Sequence, residues 1–454
     1  MPGAGPYGIV SRMTSVEECL ADLAHGARWL RRRKRFAILS TLIIAIGIGG
    51  ATAIFSVADA VVLRPLPYAH ADRLFVIFEY DRSRGIRGPT SYPAFVDWRN
   101  GSHSFDAFAA TTAERLEVTL TGSGDPEVIA AAAVSGDFFQ LLGVPPLVGR
   151  SLLPDDDRPG SAVAVLSYAL WRERFAADPG VVGRTMVLQG RPHTIVGVMP
   201  SQFAFPTGAH VWLPMRAEEP LLLAAIADGL FHDVGAGVGW LTVVGRLRDG
   251  ASIEAARGEL SGIWRRMYRR SMADIDTSTV DPGVIDSFIE NHAAAPVGIA
   301  DVILGAVRPN VLAVLVGGLL VLAIASTNMA GLLLALAIER KRDFSIREAL
   351  GASRARLIRA ALTETLLLAM IGTAAGLLLA WWATPILSSL MPSEIPRADQ
   401  IALNMRVIGF AGLAMSLVAV VAAVSPMALV RRGALEELIR RASSRMVEDR
   451  KSVV

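Results

Sequence analysis

Four stretches of the chain lack charged residues and are long enough to cross a membrane. A helix that spans a bilayer core needs about 20 apolar residues, because backbone amides cannot be left unpaired in lipid. The pattern therefore predicts four transmembrane helices, and Pro385 is expected to mark the outer end of the third. The charge-free stretches are 36–58, 309–338, 365–393 and 407–430.

Basic residues cluster in three segments beside these stretches, at 28–35, 340–359 and 431–445. The segments fall on one side of the membrane if the chain crosses it four times. The positive-inside rule then places both termini in the cytoplasm and residues 63–308 outside. A cleaved signal peptide is the competing interpretation, because Ala58-Asp59-Ala60 has the shape of a cleavage site. The apolar run is longer than the ~7–15 residues of a signal core, which favours a membrane span.

Residues 63–308 alternate between strand and helix patterns, which predicts an α+β extracytoplasmic domain. Short runs rich in β-branched and aromatic residues predict strands, and Ser252 is a plausible N-cap for the longest helix. Turn signals at 180–200 indicate a compact β-rich part. The predicted strands are 73–80, 116–120, 162–166 and 242–247, and the predicted helices are 91–100, 169–176 and 252–270.

Small and polar residues inside the predicted spans suggest how the helices pack. Gly47, Gly49 and Gly50 would permit close helix approach, although glycine is also simply common in membrane helices. Asn328, with Ser326 and Thr327, is expected to make interhelical hydrogen bonds rather than to line an ion path. None of the charge-free stretches supplies an intramembrane charge.

Composition supports a membrane protein with a soluble part. The 454 residues are 52% hydrophobic and 19% charged, with a mean hydropathy of +0.43, so apolar and polar residues must be segregated along the chain. The net charge is +3, and the basic clusters adjoin hydrophobic runs, so no nucleic-acid partner is expected. Cys19 is the single cysteine, which excludes a disulfide within residues 63–308.

The motifs of common catalytic and metal sites do not occur. Lys34, Lys341 and Lys451 are the only lysines and none follows a glycine, so no phosphate-binding P-loop can be written. No histidine pair has zinc-site spacing and no Gly-x-Ser-x-Gly motif occurs. Residues 155–157 are three aspartates that are expected to form a solvated turn rather than a cation site. We therefore expect no catalytic, cofactor or metal residues, and not an enzyme.

A short amphipathic helix is predicted between the second and third spans. Ile346, Ala349 and Leu350 form an apolar stripe among charges, and Gly351 then ends the helix. Ser353 can cap the next helix. Such a helix docks on lipid or in a groove of another protein, or serves as a solvated basic anchor.

Eight motifs make the chain recognisable. It resembles the permeases of the FtsX/MacB/LolC superfamily of ABC systems, and within it the large acidobacterial, ADOP-type branch. The resemblance covers nearly the whole chain. The motifs are AIGIGGATAIFS (45–56), LRPLPY (63–68), SYPAFVDW (91–98), SGDFF (135–139) with LG (142–143), NMAGLLL (328–334), IREALGASR (346–354), TETLLL (363–368) and PSEIPR (392–397).

The resemblance implies a membrane α-helical fold of four transmembrane helices, a type VII ABC mechanotransmission permease. Its α+β extracytoplasmic domain would have a porter-like part, from 63–135 and 236–300, and a β-rich insert near 140–215. In this family the loop helix after the second span is a coupling helix that contacts a separate ABC ATPase. The implied coupling residues are Phe344, Ile346, Arg347, Glu348, Leu350, Gly351, Ser353 and Arg354.

The implied domain order runs from a cytoplasmic amino-terminal segment to a cytoplasmic tail. The partner would hydrolyse ATP, and this chain would bind no cofactor. Further expected partners are a second permease copy, a paralogue or a missing second half, a periplasmic adaptor and membrane lipid. The segments are 1–35 cytoplasmic, 36–62 transmembrane, 63–308 MacB-like periplasmic core, 309–338 transmembrane, 339–359 coupling loop, 360–385 transmembrane, 386–405 periplasmic loop, 406–430 transmembrane and 431–454 tail.

Two further expectations concern the carboxyl end and the role. Residues 449–454, DRKSVV, match a peptide that a widely used sequencing adapter encodes, so we expect the natural protein to be longer and to contain a second half.

The expected role is that of a permease of the inner membrane acting in efflux. The alternative is an FtsX-like signalling protein that regulates an extracytoplasmic cell-wall hydrolase without transport.

Overall fold

The computed structural model describes residues 28, 30–122, 125–217, 239–273, 281–339, 354–390 and 401–421. These residues fall into two compact units. The membrane unit lies within Met1–Leu63, Pro309–Met391 and Ala398–Val454, and the α+β unit lies within Arg64–Arg308 and Pro392–Arg397. The predicted residues 340–353 and 431–454 lie outside the described part of the chain.

The described residues form helices and strands with the following bounds. The helices are α1 Lys34–Ala58, α2 Tyr92–Gly101, α3 Phe138–Leu142, α4 Tyr168–Arg174, α5 Ile253–Ala273, α6 Pro282–Asn291, α7 Ile299–Leu304, α8 Arg308–Glu339, α9 Arg354–Leu390 and α10 Met405–Val421. The strands are β1 Leu74–Asp81, β2 Ile86–Gly88, β3 Phe105–Thr112, β4 Leu116–Thr121, β5 Glu127–Val134, β6 Val148–Gly149, β7 Val163–Leu166, β8 Thr185–Leu188, β9 Arg191–Val198, β10 Val211–Pro214, β11 Leu241–Leu247 and β12 His292–Gly298.

The strands of the α+β unit make one hydrogen-bonded sheet with two parts. One part is a closed ring of six strands. Each strand pairs with the next in the order β4, β5, β10, β7, β9 and β8, and β8 pairs with β4 to close the ring. β3, β11, β1 and β12 continue the sheet as an open antiparallel part, with β2 on β1. The two parts join where Thr111 of β3 pairs with Val134 of β5.

Helices α2 and α5 share a buried core with the open part of the sheet. Trp98 of α2 is fully buried and its Nε1 donates to the carbonyl oxygen of Leu260 in α5, at 3.0 Å. A tryptophan buried in this way keeps its polar atom satisfied. The two helices therefore form one layer against the sheet.

A second core consists of aromatic side chains around α3. Phe139 lies 5.9 Å from Trp212 of β10 and 5.4 Å from Phe203, measured between ring centroids. Phe138 stacks on Phe205, with centroids 6.1 Å apart. Aromatic rings bury large apolar areas and pack at such distances, so this cluster holds α3 against the closed ring of strands.

The secondary-structure predictions for the α+β unit are confirmed to within a few residues. β1, β4, β7 and β11 match the four predicted strands, and α2, α4 and α5 match the three predicted helices. Ser252 lies directly before α5, and its Oγ is 3.5 Å from the amide nitrogen of Ala255. The predicted α+β class is therefore observed.

The expected division of this domain differs from the observed one. The β-rich insert was expected near 140–215, but the closed ring already begins at β4, Leu116–Thr121. Local periodicity predicts a strand at 116–120, but it cannot predict which part of a sheet that strand joins. The ring includes β4 and β5 because they pair with β8 and β10, which lie more than 50 positions later in the chain.

Three described helices are long and apolar enough to cross a membrane, namely the segments Lys34–Leu63, Arg308–Leu336 and Thr363–Ser389. The described part of α10 is shorter, with 17 residues, Met405–Val421. These helices indicate a protein that crosses a membrane several times.

Two details of the helices bear on the predicted spans. α9 continues through Pro385 to Leu390, since membrane helices commonly tolerate proline, and the outer end of the third span at Pro385 stays a prediction. The first helical segment also runs through Asp59 into the π-helical turn Asp59–Leu63, and the third includes Glu364. Two of the apolar helical segments, Lys34–Leu63 and Thr363–Ser389, therefore each include an acidic residue.

Candidate functional site in the membrane helices

The eight predicted coupling residues lie between α8 and α9 or, in the case of Arg354, at the first position of α9. Seven of them, Phe344, Ile346, Arg347, Glu348, Leu350, Gly351 and Ser353, lie outside the described residues, and Arg354 is the first residue of α9. Their role stays a prediction. The structure describes the helices on either side of this segment and their packing against α1.

An ion pair joins α8 to the beginning of α1. Nη1 of Arg33 lies 3.0 Å from Oε2 of Glu339, the last described residue before the coupling segment. The side chains are 43% and 66% exposed, so the pair contributes at most about 1 kcal/mol. Its importance lies in its position: the amino-terminal end of α1 contacts the start of the coupling loop. The sequence showed both residues but not their pairing.

Helices α1 and α9 approach each other through glycines. A Cβ atom built on Gly49 would lie 2.8 Å from the carbonyl oxygen of Gly376, and one built on Gly372 would lie 2.5 Å from Cγ2 of Ile44. Any side chain at these positions would collide with the neighbouring helix. Such small residues allow membrane helices to pack backbone to backbone.

Helix α1 also packs closely against α8. A Cβ atom on Gly47 would collide with Cβ of Ala325, and one on Gly318 would lie 2.9 Å from Cδ1 of Ile54. Close approach is therefore confirmed for Gly47 and Gly49, whereas Gly50 has no atom within 4 Å of such a Cβ. Helix α1 thus contacts both helices that flank the coupling segment.

The hydrogen bonds made by the polar residues of α8 differ from those predicted. The hydroxyl groups of Ser326 and Thr327 donate to the carbonyl oxygens of Leu322 and Ala323, four residues earlier in the same helix, at 2.7 and 2.9 Å. Asn328 is exposed. The predicted interhelical hydrogen bonds from the two hydroxyls are wrong, because the helix's own carbonyl groups compete for these short side chains.

Two of the three consecutive aspartates of the α+β unit bind neighbouring groups through their side chains, whereas Asp155 is exposed. Asp156 binds Nη1 and Nη2 of Arg150 at 2.5 and 3.0 Å. Asp157 accepts from the backbone nitrogens of Gly136 and Arg216, at 3.3 and 2.7 Å, and is half-buried. The solvated turn expected here is therefore wrong for Asp157. Within the described residues, no three or more His, Cys, Asp or Glu side chains are arranged so that they could hold a metal ion.

Two further carboxylates of this unit were not foreseen. Glu79 of β1 is buried and accepts from the backbone nitrogen and Oγ of Ser91, at 2.8 and 2.9 Å, directly before α2. Burial raises the pKa of Glu79, and the two bonds from Ser91 offset part of that rise.

Glu259 of α5 holds the residues that follow α2. It accepts from Oγ of Ser102 and from the backbone nitrogens of His103 and Ser104, at 3.1, 2.6 and 3.0 Å. Burial opposes ionisation, but these hydrogen bonds outweigh it and lower the pKa of Glu259 to about 2. Both carboxylates therefore organise the domain around α2.

Two family models match consecutive parts of the chain. The model of the MacB-like periplasmic core domain matches residues 37–263, half of the chain, and that of the FtsX-like permease C-terminal region matches residues 315–435. The chain belongs to the MacB/FtsX-like family of ABC permeases. The resemblance to this superfamily is thus confirmed, and membership of the acidobacterial branch stays a prediction.

Curated relatives of this permease carry the name macrolide export ATP-binding/permease protein MacB. The protein from Hahella chejuensis is 25% identical over 263 residues, which is 57% of this chain and 36% of the relative. That from Burkholderia thailandensis is 27% identical, over 55% of this chain and 34% of the relative. The protein from an Azoarcus species is 24% identical, over 86% of this chain and 57% of the relative. The chain thus spans about a third to somewhat over half of their length.

Two solved structures of parts of other proteins also resemble the permease. The periplasmic region of MacB from Actinobacillus actinomycetemcomitans covers 52% of this chain at 13% identity, with 94% of that region covered and a TM-score of 0.35. A domain of a permease protein from Porphyromonas gingivalis covers 52% at 17% identity, with 92% of it covered and the same TM-score.

Proposed function

We propose that this chain is the permease subunit of an ABC-type efflux or mechanotransmission system, driven by a separate ATPase. It acts on a substrate taken from the periplasm or extracted from the membrane. The match to both a periplasmic core model and an FtsX-like permease model carries the proposal. The second match, residues 315–435, includes the whole predicted coupling segment.

The packing of α1 supports a mechanical role for this segment. Helices α8 and α9 flank it, and α1 packs on both through Gly47 and Gly49. Close-packed interfaces transmit displacement because they are nearly incompressible. A movement of the coupling segment would therefore reach α1, because Arg33, the residue directly before α1, also pairs with Glu339 of α8.

The proposed membrane arrangement has four spans with both termini in the cytoplasm. The basic clusters at 28–35, 340–359 and 431–445 support this orientation. The described part of α10 would be the first part of the fourth span, 406–430. The export named in the curated relatives supports efflux as the activity. A second permease copy and a periplasmic adaptor are the proposed further partners.

Two substitutions in the coupling segment test the proposal. The tagged chain is purified from native membranes, and co-purified proteins that contain a P-loop are quantified by mass spectrometry. Arg347→Glu reverses a charge beside the apolar stripe, and Leu350→Asp places a charge within it. We expect both variants to insert normally and to lose the ATPase that the unmodified chain retains.

Matched controls separate the segment from general effects of charge. Arg172→Glu reverses an exposed charge on α4, and Val284→Asp introduces a charge at a position on α6 that is 60% exposed. Both should retain the ATPase. Retention of the ATPase by both coupling-segment variants would overturn the proposal.

A further inference from the structure

A buried carboxylate lies at the end of α1 opposite to Arg33. Asp59 is fully buried, with a relative exposure of 0%, and belongs to the apolar segment Lys34–Leu63. A charged residue inside an apolar membrane helix is costly, and it is usually paired and functional. Here the α-helix also changes to the π-helical turn Asp59–Leu63. Such turns occur often at functional sites.

Two residues at the start of α10 contact this carboxylate. Nδ2 of Asn404 donates to Oδ2 of Asp59 at 2.7 Å, and Nη1 of Arg406 lies 3.6 Å from Oδ1. Oδ1 of Asn404 accepts from the backbone nitrogens of Arg406 and Val407, at 2.8 and 3.1 Å. Asn404 therefore caps α10 and binds Asp59 with the same side chain.

An aromatic contact repeats this pairing one helical turn away. The rings of Phe55 and Phe410 are stacked, with centroids 4.2 Å apart and planes 3° from parallel. Phe55 precedes Asp59 by four residues and Phe410 follows Arg406 by four, so each pair shares one helix face. The two helices thus meet through an aromatic layer and a polar layer.

The polar layer is better suited to setting geometry than to adding stability. Removing the Asp59 carboxylate from water offsets much of the attraction that its partners supply, and the best-established use of buried charged groups is to define one register. Arg406 is 63% exposed, whereas the side chain of Asp59 is 1% exposed. If α10 moved away, the buried carboxylate would lose both of these partners.

We propose that Asp59 is a positioning residue that fixes the beginning of α10 to the end of α1, so that the two helices move as one body. The polar side chains of Asn404 and Arg406 bind the carboxylate, and the stacked rings of Phe55 and Phe410 prevent the helices from rotating. This clasp, Asp59 with Asn404 and Arg406, does not depend on the identity of the ATPase.

Spin labels on the exposed faces of α1 and α10 test the clasp. In the full chain with Cys19→Ser, labels are attached at Gly50→Cys and Leu413→Cys, and the distance distribution is measured in nanodiscs by pulsed electron resonance. Gly50 has no atom near its Cβ direction, and Leu413 is 73% exposed. We expect one narrow distribution in this labelled parent.

Charge-removing variants should broaden or shift this distribution. Asp59→Asn and Arg406→Gln each remove one charge, and Arg406→Lys should restore the narrow distribution. Ser416→Ala is the control on α10, because its hydroxyl bonds to Gly412 within the same helix, at 2.9 Å. An unchanged distribution in Asp59→Asn, or a broad one in Arg406→Lys, would overturn the proposal.

The same samples separate this inference from the proposed function. Asp59→Asn lies at the end of α1 away from the coupling segment, so the variant should still co-purify with the ATPase. Absence of any ATPase from the unmodified chain would contradict the proposed function and leave the distance result as the test of the clasp.

Discussion

Gly49 of α1 and Gly376 of α9 meet backbone to backbone, since a Cβ atom on Gly49 would lie 2.8 Å from the Gly376 carbonyl oxygen. Gly49→Ala must therefore push the two helices apart. Overpacking of this kind costs about 1–3 kcal/mol, so the variant should unfold at a lower temperature in detergent. Differential scanning fluorimetry measures this change.

Gly50 provides the matched control on the same helix. A Cβ atom there meets nothing within 4 Å, and alanine is favoured over glycine in helices by about 0.5–1 kcal/mol. Gly50→Ala should therefore leave the unfolding temperature unchanged or raise it slightly. An equal loss in both variants would show that the α1–α9 contact is not the cause.

The buried carboxyl of Glu79 should make the α+β unit less stable as the pH rises. Burial raises its pKa above the ordinary 4.5, so the stability it contributes is present below pH 4.5 and is lost as the pH rises through the raised pKa. Glu79→Gln keeps an acceptor for Ser91 but cannot ionise. The unfolding temperature of the wild type, relative to this variant, should fall between pH 4.5 and 7.5.

Glu117→Gln on β4 is the control for Glu79, because it removes a carboxyl that is exposed. Its difference from the wild type should depend much less on pH. An unfolding temperature of the wild type that rises relative to that of Glu79→Gln between pH 4.5 and 7.5 would contradict the assignment of Glu79 as a carboxyl with a raised pKa.

Glu259 should show the opposite dependence. Its pKa is lowered to about 2 from the ordinary 4.5, so its stabilising effect is present above pH 4.5 and is lost as the pH falls towards 2. Glu259→Gln should cost about 1–3 kcal/mol near neutral pH, because three hydrogen bonds to a charged acceptor weaken. The unfolding temperatures of the two proteins, compared from pH 6 to 3, should converge in acid. A constant difference would contradict this.

Sequence patterns predict the elements of this molecule better than the contacts between them. Charge-free runs predicted the membrane helices, and short β-branched runs predicted β1, β4, β7 and β11, because both depend on local composition. The glycines of α1 were visible, but the Gly49–Gly376 contact depends on which helix faces meet. The expected first span, 36–62, already included Asp59, but hydropathy alone cannot show which residues some 345 positions away bind its carboxylate.

The proposed contact between Leu350 and a separate ATPase is tested most directly by photocrosslinking. A photoreactive benzoylphenylalanine in place of Leu350, irradiated in native membranes, should give an adduct with a protein that contains a P-loop. The same group in place of Leu153, a residue of the α+β unit that is 48% exposed, should give no adduct with such a protein. Adducts from position 350 without any P-loop protein, or equal yields from both positions, would contradict the proposed contact between Leu350 and the ATPase.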